Sequence, residues 1–510
     1  MTEPAVELVG IHKRFGAVHA NRGVNLNVAR GTVHGIVGEN GAGKSTLMSI
    51  LYGFYPADEG RIRIEGREVQ LAGTHDAIAH GIGMVHQHFM LVERFSVLEN
   101  VVLGAERGFM LRASLAQARR ELQRLADEFG LAVDPDARVR DLPVGVLQRV
   151  EILKALFRGA RILILDEPTG VLTPQETEAL FRVLATLKAR GVTVLLISHK
   201  LKEILAATDR VTVMRAGAVV AERDTAHTTE VELAELMVGR QVRLDLAPPA
   251  RRCGELRLQA EALTWRDAQG TPRLQEVSIE LHEGEIVGVA GVSGNGQSEL
   301  LALLSGLAAP QQGRIRIATR EGGWREIDAA HPADPRTLRR MGVAHVPEDR
   351  HRLGLVLGFA AWESALLGYD DDPAVRRGPL LRRAAARAQC RAMMDEFDVR
   401  PRDEQLVSSK FSGGNQQKLI LAREFRRAPR VLLIGQPTRG VDIGAIEFIH
   451  RRTVALRDAG CAVLLVSTEL DEILALADRI VVMSGGRIAG SLSRHDADEQ
   501  RLGCLMGQAG

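Results

Sequence analysis

The stretch Gly38-Glu39-Asn40-Gly41-Ala42-Gly43-Lys44-Ser45-Thr46 has the composition and spacing of a phosphate-binding loop. Its glycines let backbone N–H groups face phosphate oxygens, and Lys44 is long enough to reach the β- and γ-phosphates of a nucleotide. The Ser45 hydroxyl is a ligand of the kind that Mg²⁺ takes in such loops. This stretch therefore predicts a nucleotide-binding α/β domain.

A damaged copy of the loop, Gly291-Val292-Ser293-Gly294-Asn295-Gly296-Gln297-Ser298, follows with an offset of 253 residues (38 to 291). The copy keeps its glycines, but Gln297 stands where a lysine is expected. Later landmarks are shifted by 269, for example Leu142 to Phe411, which predicts extra residues around 318–339. We expect two domains of unequal chemistry. Their predicted bounds are 5–240 and 255–508, with a linker over 241–254.

Composition limits the classes of protein to which the chain can belong. Its formal net charge is +2, from 66 basic and 64 acidic residues, which gives no reason to expect a nucleic-acid partner. The four cysteines form no CxxC pair and are expected to be free thiols. Residues 1–10 are too short and acidic for a signal peptide, and no apolar run is long enough to cross a bilayer. A role at a membrane would therefore need another subunit.

Short apolar runs alternate with helical segments in both halves, a pattern typical of a mainly parallel sheet covered by helices. In each half the first run leads into a glycine loop and then an apolar helix, predicted over 45–52 and 298–307. The runs cover residues 33–37, 161–165 and 192–197 in the first half and 286–290, 431–434 and 462–466 in the second.

Two carboxylates, Asp166 and Glu167, end an apolar strand of the first half. Beside a phosphate loop, Asp166 is placed to hold Mg²⁺ through water, and Glu167 to polarise the attacking water. An acidic turn after a strand is the alternative for either residue alone. The loop upstream favours the catalytic interpretation.

Three further residues of the first half are candidates for contact with a nucleotide. Gln87 follows an apolar run and could sense Mg²⁺ and the γ-phosphate, and His199 follows a strand and could donate to the γ-phosphate. Phe15 could stack on adenine, with packing in the core as its alternative. His86 and His88 form at most a weak metal signal, since no cysteine lies near them.

These motifs, in this order and spacing, resemble those of ABC-type ATPases. The matching segments are 38–46, Gln87, 142–151, 162–169, Ser198-His199 and the signature-like Phe411-Ser412-Gly413-Gly414-Asn415-Gln416-Gln417-Lys418. The resemblance implies two tandem P-loop domains, each with a mainly parallel sheet, an antiparallel β part and a helical subdomain. It also implies ATP and Mg²⁺ as ligands.

The double form with a defective second half looks like the ATP-binding subunit of bacterial importers for monosaccharides and nucleosides. Residues 86–92 and 346–350 look most like the nucleoside-importing branch. The resemblance implies integral membrane permeases as partners, an extracytoplasmic solute-binding protein as an indirect partner, and a peripheral place on the cytoplasmic face of the bacterial inner membrane. Residues 89–97 and 351–359 are the expected docking segments. Each has apolar residues that are expected to be exposed, with helical-subdomain core as the alternative for any one side chain; these residues are Phe89, Met90, Phe95, Leu355 and Phe359.

In ABC ATPases each nucleotide lies between the phosphate loop of one domain and the signature segment of the other. The resemblance thus implies a complete first site, whose residues are Lys44, Gln87, Asp166, Glu167 and His199 with Ser412, Gly413, Gly414 and Asp442. The second site combines substituted positions, which are Gln297, Glu348, Gly435, Gln436 and Thr468 with Pro143, and Thr173 at the position of Asp442. All losses fall on one site, so we expect one hydrolytic site and one degenerate site.

Two other functions compete with import. A tandem ABC ATPase that acts on ribosomes usually keeps two competent sites and a long charged linker between its halves, whereas this chain has a short proline-containing linker. A non-hydrolytic binding scaffold would not need the intact Glu167 and His199.

Overall fold

The computed structural model describes residues 3–16, 18–86, 89–105, 111–170, 172, 174–198, 200–241, 253–292, 294–319, 321–441 and 443–507. The chain divides into two compact units, Met1–Val242 and Arg243–Gly510. We refer to them as unit 1 and unit 2 and describe each by itself.

Unit 1 is an α/β unit. Its strands are β1 Pro4–Phe15, β2 Val18–Ala29, β3 Val33–Gly38, β4 Glu59–Ile64, β5 Arg67–Val69, β6 Ile82–Val85, β7 Ile162–Asp166, β8 Thr193–Ile197, β9 Arg210–Arg215 and β10 Ala218–Asp224. Its α-helices are α1 Lys44–Leu51, α2 Thr74–Ala79, α3 Val97–Val102, α4 Leu111–Phe129, α5 Val144–Phe157, α6 Pro174–Ala189, α7 Leu201–Ala207 and α8 Glu230–Val238.

Two sheets organise unit 1. A four-stranded antiparallel sheet has the order β2-β1-β4-β5, and a six-stranded sheet has the order β10-β9-β3-β8-β7-β6. The six-stranded sheet is parallel except at the β9–β10 pair. The carboxyl ends of parallel strands lie at the same edge of a sheet. Since β3 and β7 flank β8, the phosphate loop after β3 and the carboxylates at the end of β7 lie at this edge, on either side of β8.

Unit 2 repeats this plan. Its strands are β11 Leu256–Arg266, β12 Pro272–His282, β13 Ile286–Ala290, β14 Gln312–Ala318, β15 Trp324–Ile327, β16 Val343–Val346, β17 Arg376–Arg377, β18 Leu380–Leu381, β19 Val431–Gly435, β20 Ala462–Val466, β21 Arg479–Ser484 and β22 Arg487–Ser493. Its α-helices are α9 Gln297–Leu304, α10 Pro335–Arg340, α11 Ala361–Ser364, α12 Arg383–Glu396, α13 Gly413–Phe425, α14 Ile443–Asp458, α15 Leu470–Leu476 and α16 Glu499–Gly507.

The sheets of unit 2 have the same internal order as those of unit 1. The antiparallel sheet runs β12-β11-β14-β15, and the mainly parallel sheet runs β16-β19-β20-β13-β21-β22. A two-stranded β17–β18 hairpin is added. The predicted fold, a mainly parallel core with an antiparallel part and helices in each half, is confirmed.

The central strands form because both faces of the sheet are covered. Every residue of β3, β8, β13 and β20 is buried, which explains why these strands read as continuous apolar runs. The helix predicted over 298–307 ends earlier, at Leu304, because Gly306 adopts a left-handed φ of 74° that stops it. None of the helices in the described ranges is long and apolar enough to cross a membrane.

The extra residues of the second half are split between two places. The offset between β6 at Ile82 and β16 at Val343 is 261, midway between 253 and 269. Half of the extra residues therefore precede β16, in the β14–β15 and α10 region, and half follow it. The expectation that all of them lie around 318–339 is wrong. The remaining extra residues lie between β16 and α13, in the segment that contains the β17–β18 hairpin.

Candidate functional site

The first phosphate loop leaves the N-terminus of α1 open to a ligand. Gly43 precedes α1 with a left-handed φ of 96°, and no side chain caps the helix. A Cβ on Gly43 would lie 2.3 Å from the Ala20 carbonyl oxygen, so only glycine fits here. Uncapped N–H groups at a helix N-terminus attract anions, which suits this loop to a phosphate.

Lys44 is held inside the loop. Its ammonium group donates to the carbonyl oxygens of Gly38 at 2.6 Å and Glu39 at 3.1 Å, and the residue is only 6% exposed. Burial lowers the pKa of Lys44, although the nearby carboxylates of Glu167 and Asp166 oppose that change. The lysine is therefore preorganised by backbone carbonyls at the centre of the loop.

The Ser45 hydroxyl stabilises the ionised form of Asp166, at the end of β7. Burial raises the pKa of Asp166, the neighbouring charge of Glu167 raises it further, and the Ser45 hydroxyl lowers it. Two hard oxygen donors thus meet beside Lys44. They are the kind of ligands that Mg²⁺ prefers, so the residues present fit this ion.

Three predicted residues of this site, Gln87, His199 and Asp442, lie outside the described residues. So do His88 of the histidine pair and Thr173 of the second site. Of the others, Phe15 is 43% exposed, with its ring 5.3 Å from that of Tyr55 in an edge-on arrangement. Packing of Phe15 in the core is therefore wrong.

Of the two histidines, only His86 lies within the described residues. The His86 ring contacts Phe54, at 5.6 Å between centroids, and Tyr52, at 6.0 Å. Burial lowers the pKa of His86. In the ranges that the structure describes, no group of three or more His, Cys, Asp or Glu side chains could hold a metal ion.

The second loop has the backbone of the first. Gly296 precedes α9 with a φ of 101°, and α9 also lacks a side-chain cap. Gln297 is 4% exposed, and its amide nitrogen lies 2.4 Å from the place that a Cβ on Gly291 would take. Gln297 thus fills the centre of this loop, as Lys44 does in the first, but without a charge.

The carboxylate beside the second loop belongs to Glu348, which follows β16 and not β19. The Ser298 hydroxyl donates to Glu348 Oε2 at 2.5 Å. A Cβ on Gly435 would lie 2.4 Å from Glu348 Cγ, so the Glu348 side chain takes the space next to Gly435. From the sequence alone, Gly435 indicates a lost carboxylate. The signal that points to Glu348 instead is the pair of residues taken together, glycine at 435 with glutamate at 348.

The backbones that follow β7 and β19 also match. Glu167 and Gln436 have left-handed φ angles of 49° and 48°. The backbone N–H of Glu167 donates to the carbonyl oxygen of Ile197 at 2.9 Å, and the backbone N–H of Gln436 donates to that of Val466 at 2.8 Å. Gln436 Oε1 also accepts the Thr468 hydroxyl at 3.1 Å. Gln436 and Thr468, at the positions equivalent to Glu167 and His199 in the sequence, are therefore hydrogen-bonded to each other.

The two signature positions share a backbone conformation and differ in chemistry. Ser412 precedes α13 with φ −62° and ψ 156°, and Pro143 precedes α5 with φ −61° and ψ 154°. The Ser412 hydroxyl accepts from Asn415 Nδ2 at 2.8 Å. Proline has neither a hydroxyl nor an N–H, so this N-terminus has fewer donors for a phosphate.

The predicted docking segments are only partly exposed. Of the side chains expected to be exposed, Met90 is 61%, Phe95 37% and Phe359 44% exposed, and Phe89 is half-buried. Leu355 is 4% exposed and belongs to the core of unit 2, so its predicted exposure is wrong. An apolar residue of a loop can be buried by the helices beneath it, which sequence alone does not reveal.

Comparisons with known proteins agree with this geometry. The family model described as ABC transporter matches residues 21–170 and 274–439. The guanosine import ATP-binding protein NupO of Bacillus subtilis is 44% identical over 505 residues, which cover 99% of this chain and 97% of that protein. The glucose import ATP-binding protein TsgD13 of Haloferax volcanii is 42% identical over 534 residues, which cover 99% and 96%.

A solved structure also resembles the chain along its length. It is an archaeal ribosome recycling factor in complex with a ribosomal stalk protein, with a TM-score of 0.63 and 19% identity over 97% of this chain and 92% of that one. At this identity the likeness shows the fold alone. The family model and the two import proteins go further: the chain belongs to the ABC transporter family, as an ATP-binding subunit with ATPase activity.

Proposed function

We propose that the chain energises import of a nucleoside or simple sugar, with one hydrolytic site and one degenerate site. The observation that carries the hydrolytic assignment is the meeting of Lys44, Ser45, Asp166 and Glu167 at one sheet edge of unit 1. Import is supported by the similarity to the guanosine import protein of Bacillus subtilis and the glucose import protein of Haloferax volcanii.

In the hydrolytic site the residues of unit 1 bind and orient the nucleotide. Lys44 and the N–H groups at the start of α1 contact its phosphates, and Phe15 stacks on its adenine. Ser45, Asp166 and Gln87 would hold Mg²⁺, which offsets phosphate charge when bound. Glu167 accepts a proton from the attacking water, and His199 donates to the γ-phosphate.

The resemblance to ABC ATPases supports the completion of this site by unit 2. Ser412, Gly413 and Gly414 would offer donors to the γ-phosphate, and Asp442 would approach the same site. The degenerate site would pair the second loop with Pro143. The predicted domain bounds of 5–240 and 255–508, with a linker over 241–254, remain part of this proposal.

The remaining parts of the assembly follow from the import function. Permease subunits in the membrane would dock on residues 89–97 and 351–359. In the first of these segments, the Met90 amide donates to buried Glu151 on α5 at 2.6 Å, and Lys154 donates to the Met90 carbonyl at 2.8 Å. The segment is thereby tied to the helix that follows Pro143. A solute-binding protein would act on the outer side, and the chain would lie on the cytoplasmic face of the inner membrane.

The nucleoside is our first choice of solute, because residues 86–92 and 346–350 look most like the nucleoside-importing branch. A matched pair of strains tests this choice. In the native host, the chromosomal codon for Glu167 is changed to Gln, and uptake of radiolabelled guanosine and of glucose is compared with that in the parent. Loss of guanosine uptake alone supports the nucleoside, and loss of glucose uptake alone supports the sugar. Unchanged uptake of both contradicts the proposed import.

A further inference from the structure

The second loop keeps the hydroxyl–carboxylate pair of a metal site, although its strand-end carboxylate is gone. In unit 1 the pair is Ser45 and Asp166, and in unit 2 it is Ser298 and Glu348. Both serines follow the first residue of the helix after the loop. The geometry points to a divalent-cation–nucleotide site in unit 2, with Glu348 as the metal carboxylate in place of the residue at 435.

The sheet explains how Glu348 reaches this place. Strands β16 and β19 are parallel neighbours, with Val346 opposite Ile434. Glu348, two residues after β16, and Gly435, the last residue of β19, therefore lie at the same edge of the sheet. An aspartate at 435 could not coexist with Glu348 as it lies, because its Cβ would fall 2.4 Å from Glu348 Cγ. Glycine at 435 therefore leaves the space that the Glu348 side chain takes, and the carboxylate beside the second loop follows β16 instead of ending β19.

The Glu348 carboxylate is available to a cation. Within the described part of the chain, it has no ion-pair partner within 4.0 Å. Ser298 is exposed, and the loop is open above Gly294, where a Cβ would meet nothing within 4 Å. Mg²⁺ takes one or two protein oxygens and completes its octahedron with phosphates and water, so a single carboxylate and a hydroxyl suffice.

The charges predict how such a site differs from the first. Lys44 supplies a cation to the first loop, whereas the second loop has neutral Gln297 and anionic Glu348. Without a metal ion, Glu348 repels a triphosphate, and with one it attracts the metal–nucleotide complex. Nucleotide binding to unit 2 should therefore depend strictly on a divalent cation. This inference rests on the proposed function in one respect: that Lys44→Ala silences the first loop.

Equilibrium dialysis of radiolabelled ATP against the full-length Lys44→Ala protein, with Mg²⁺ or with EDTA, tests the site. We expect Mg²⁺ to strengthen ATP binding by at least about tenfold. Adding Glu348→Gln, which keeps the shape and removes the charge, should abolish that gain, and adding Ser298→Ala should reduce it. Adding Glu326→Gln, at an exposed carboxylate of β15, is the matched control and should leave it intact.

A second readout uses Mn²⁺ in the same proteins. The electron paramagnetic resonance signal of free Mn²⁺ should fall on addition of ATP and the Lys44→Ala protein beyond its fall with ATP alone, and Glu348→Gln should remove the extra loss. Equal ATP affinity with Mg²⁺ and EDTA, or a full Mg²⁺ effect in the Glu348→Gln protein, would overturn the site. The proposed function is tested separately, by measuring ATP hydrolysis by the Lys44→Ala protein. Hydrolysis near the wild-type rate would contradict the proposed function.

Discussion

The two phosphate loops share a backbone and differ in the side chains that do chemistry. Gly43 and Gly296 have nearly the same left-handed φ, and so do Glu167 and Gln436. Gln297 stands at the position of Lys44, and Gly435 and Gln436, at the end of β19 and just after it, stand at the positions of Asp166 and Glu167. The side chains that differ in unit 2 contact one another. Glu348 occupies the space beside Gly435, and Gln436 accepts a hydrogen bond from Thr468. The comparison teaches that a fold can keep its nucleotide-binding frame while its catalytic charges change.

The largest expected effect is at Glu167. Replacing it by Gln keeps its shape and removes the proton acceptor, so turnover of ATP should fall by roughly 10²-fold or more while ATP still binds. Steady-state phosphate release measures the rate, and dialysis of ATP measures binding. Gln436→Glu is the matched change in unit 2 and should not raise turnover. Near-normal hydrolysis by Glu167→Gln would remove Glu167 from the mechanism.

The two signature positions give the next comparison. Ser412→Arg puts a bulky cation at the start of α13, and turnover should fall by about 10²-fold although the first loop is intact. Pro143→Arg makes the same change at the start of α5 and should alter turnover much less. The rate of phosphate release by the two purified variants shows which signature position matters for hydrolysis. Greater sensitivity at Pro143 would reverse the proposed pairing of loops with signature segments.

A smaller effect is expected on stability. Burial and Glu167 raise the pKa of Asp166, so the ionised carboxylate is less favourable in the folded protein than in the unfolded chain. This penalty is present at a pH above the folded-state pKa and fades as the pH falls through it. Nucleotide-free Asp166→Asn should therefore have a higher Tm at pH 7, by about 2 °C, with a smaller gain at pH 5. A lower Tm at pH 7 would show that the carboxylate stabilises the unliganded fold.

The smallest effect is expected from a single repair of unit 2. In a Lys44→Ala background, Gln297→Lys restores a phosphate-binding charge but leaves Gln436 and Thr468 in the catalytic positions. Catalytic groups that act together are strongly non-additive, so hydrolysis should stay at the level of Lys44→Ala alone. Phosphate release with Mg²⁺ measures it. Clear Mg²⁺-dependent turnover in the double variant would reveal catalytic groups in unit 2 beyond those identified.

The sequence predicts the strands well because the central strands are buried on both faces and read as continuous apolar runs. It also predicts which loop has the lysine, because that motif is local. It does not predict that Glu348 lies beside Gly435, since this depends on packing between β16 and β19 and on the space that a missing Cβ leaves. The burial of Leu355 is missed for the same reason: the core that it joins is built from distant parts of the chain.

The most direct test of the central claim, one hydrolytic loop and one degenerate loop, is the same truncation at the two equivalent positions. ATP hydrolysis is measured for full-length Lys44→Ala and Gln297→Ala, purified in parallel and matched in Tm. The account predicts that Lys44→Ala lowers turnover by roughly 10²-fold, since the loop loses its only cation, and that Gln297→Ala keeps near wild-type turnover. Equal losses in the two variants, or a larger loss in Gln297→Ala, would contradict it.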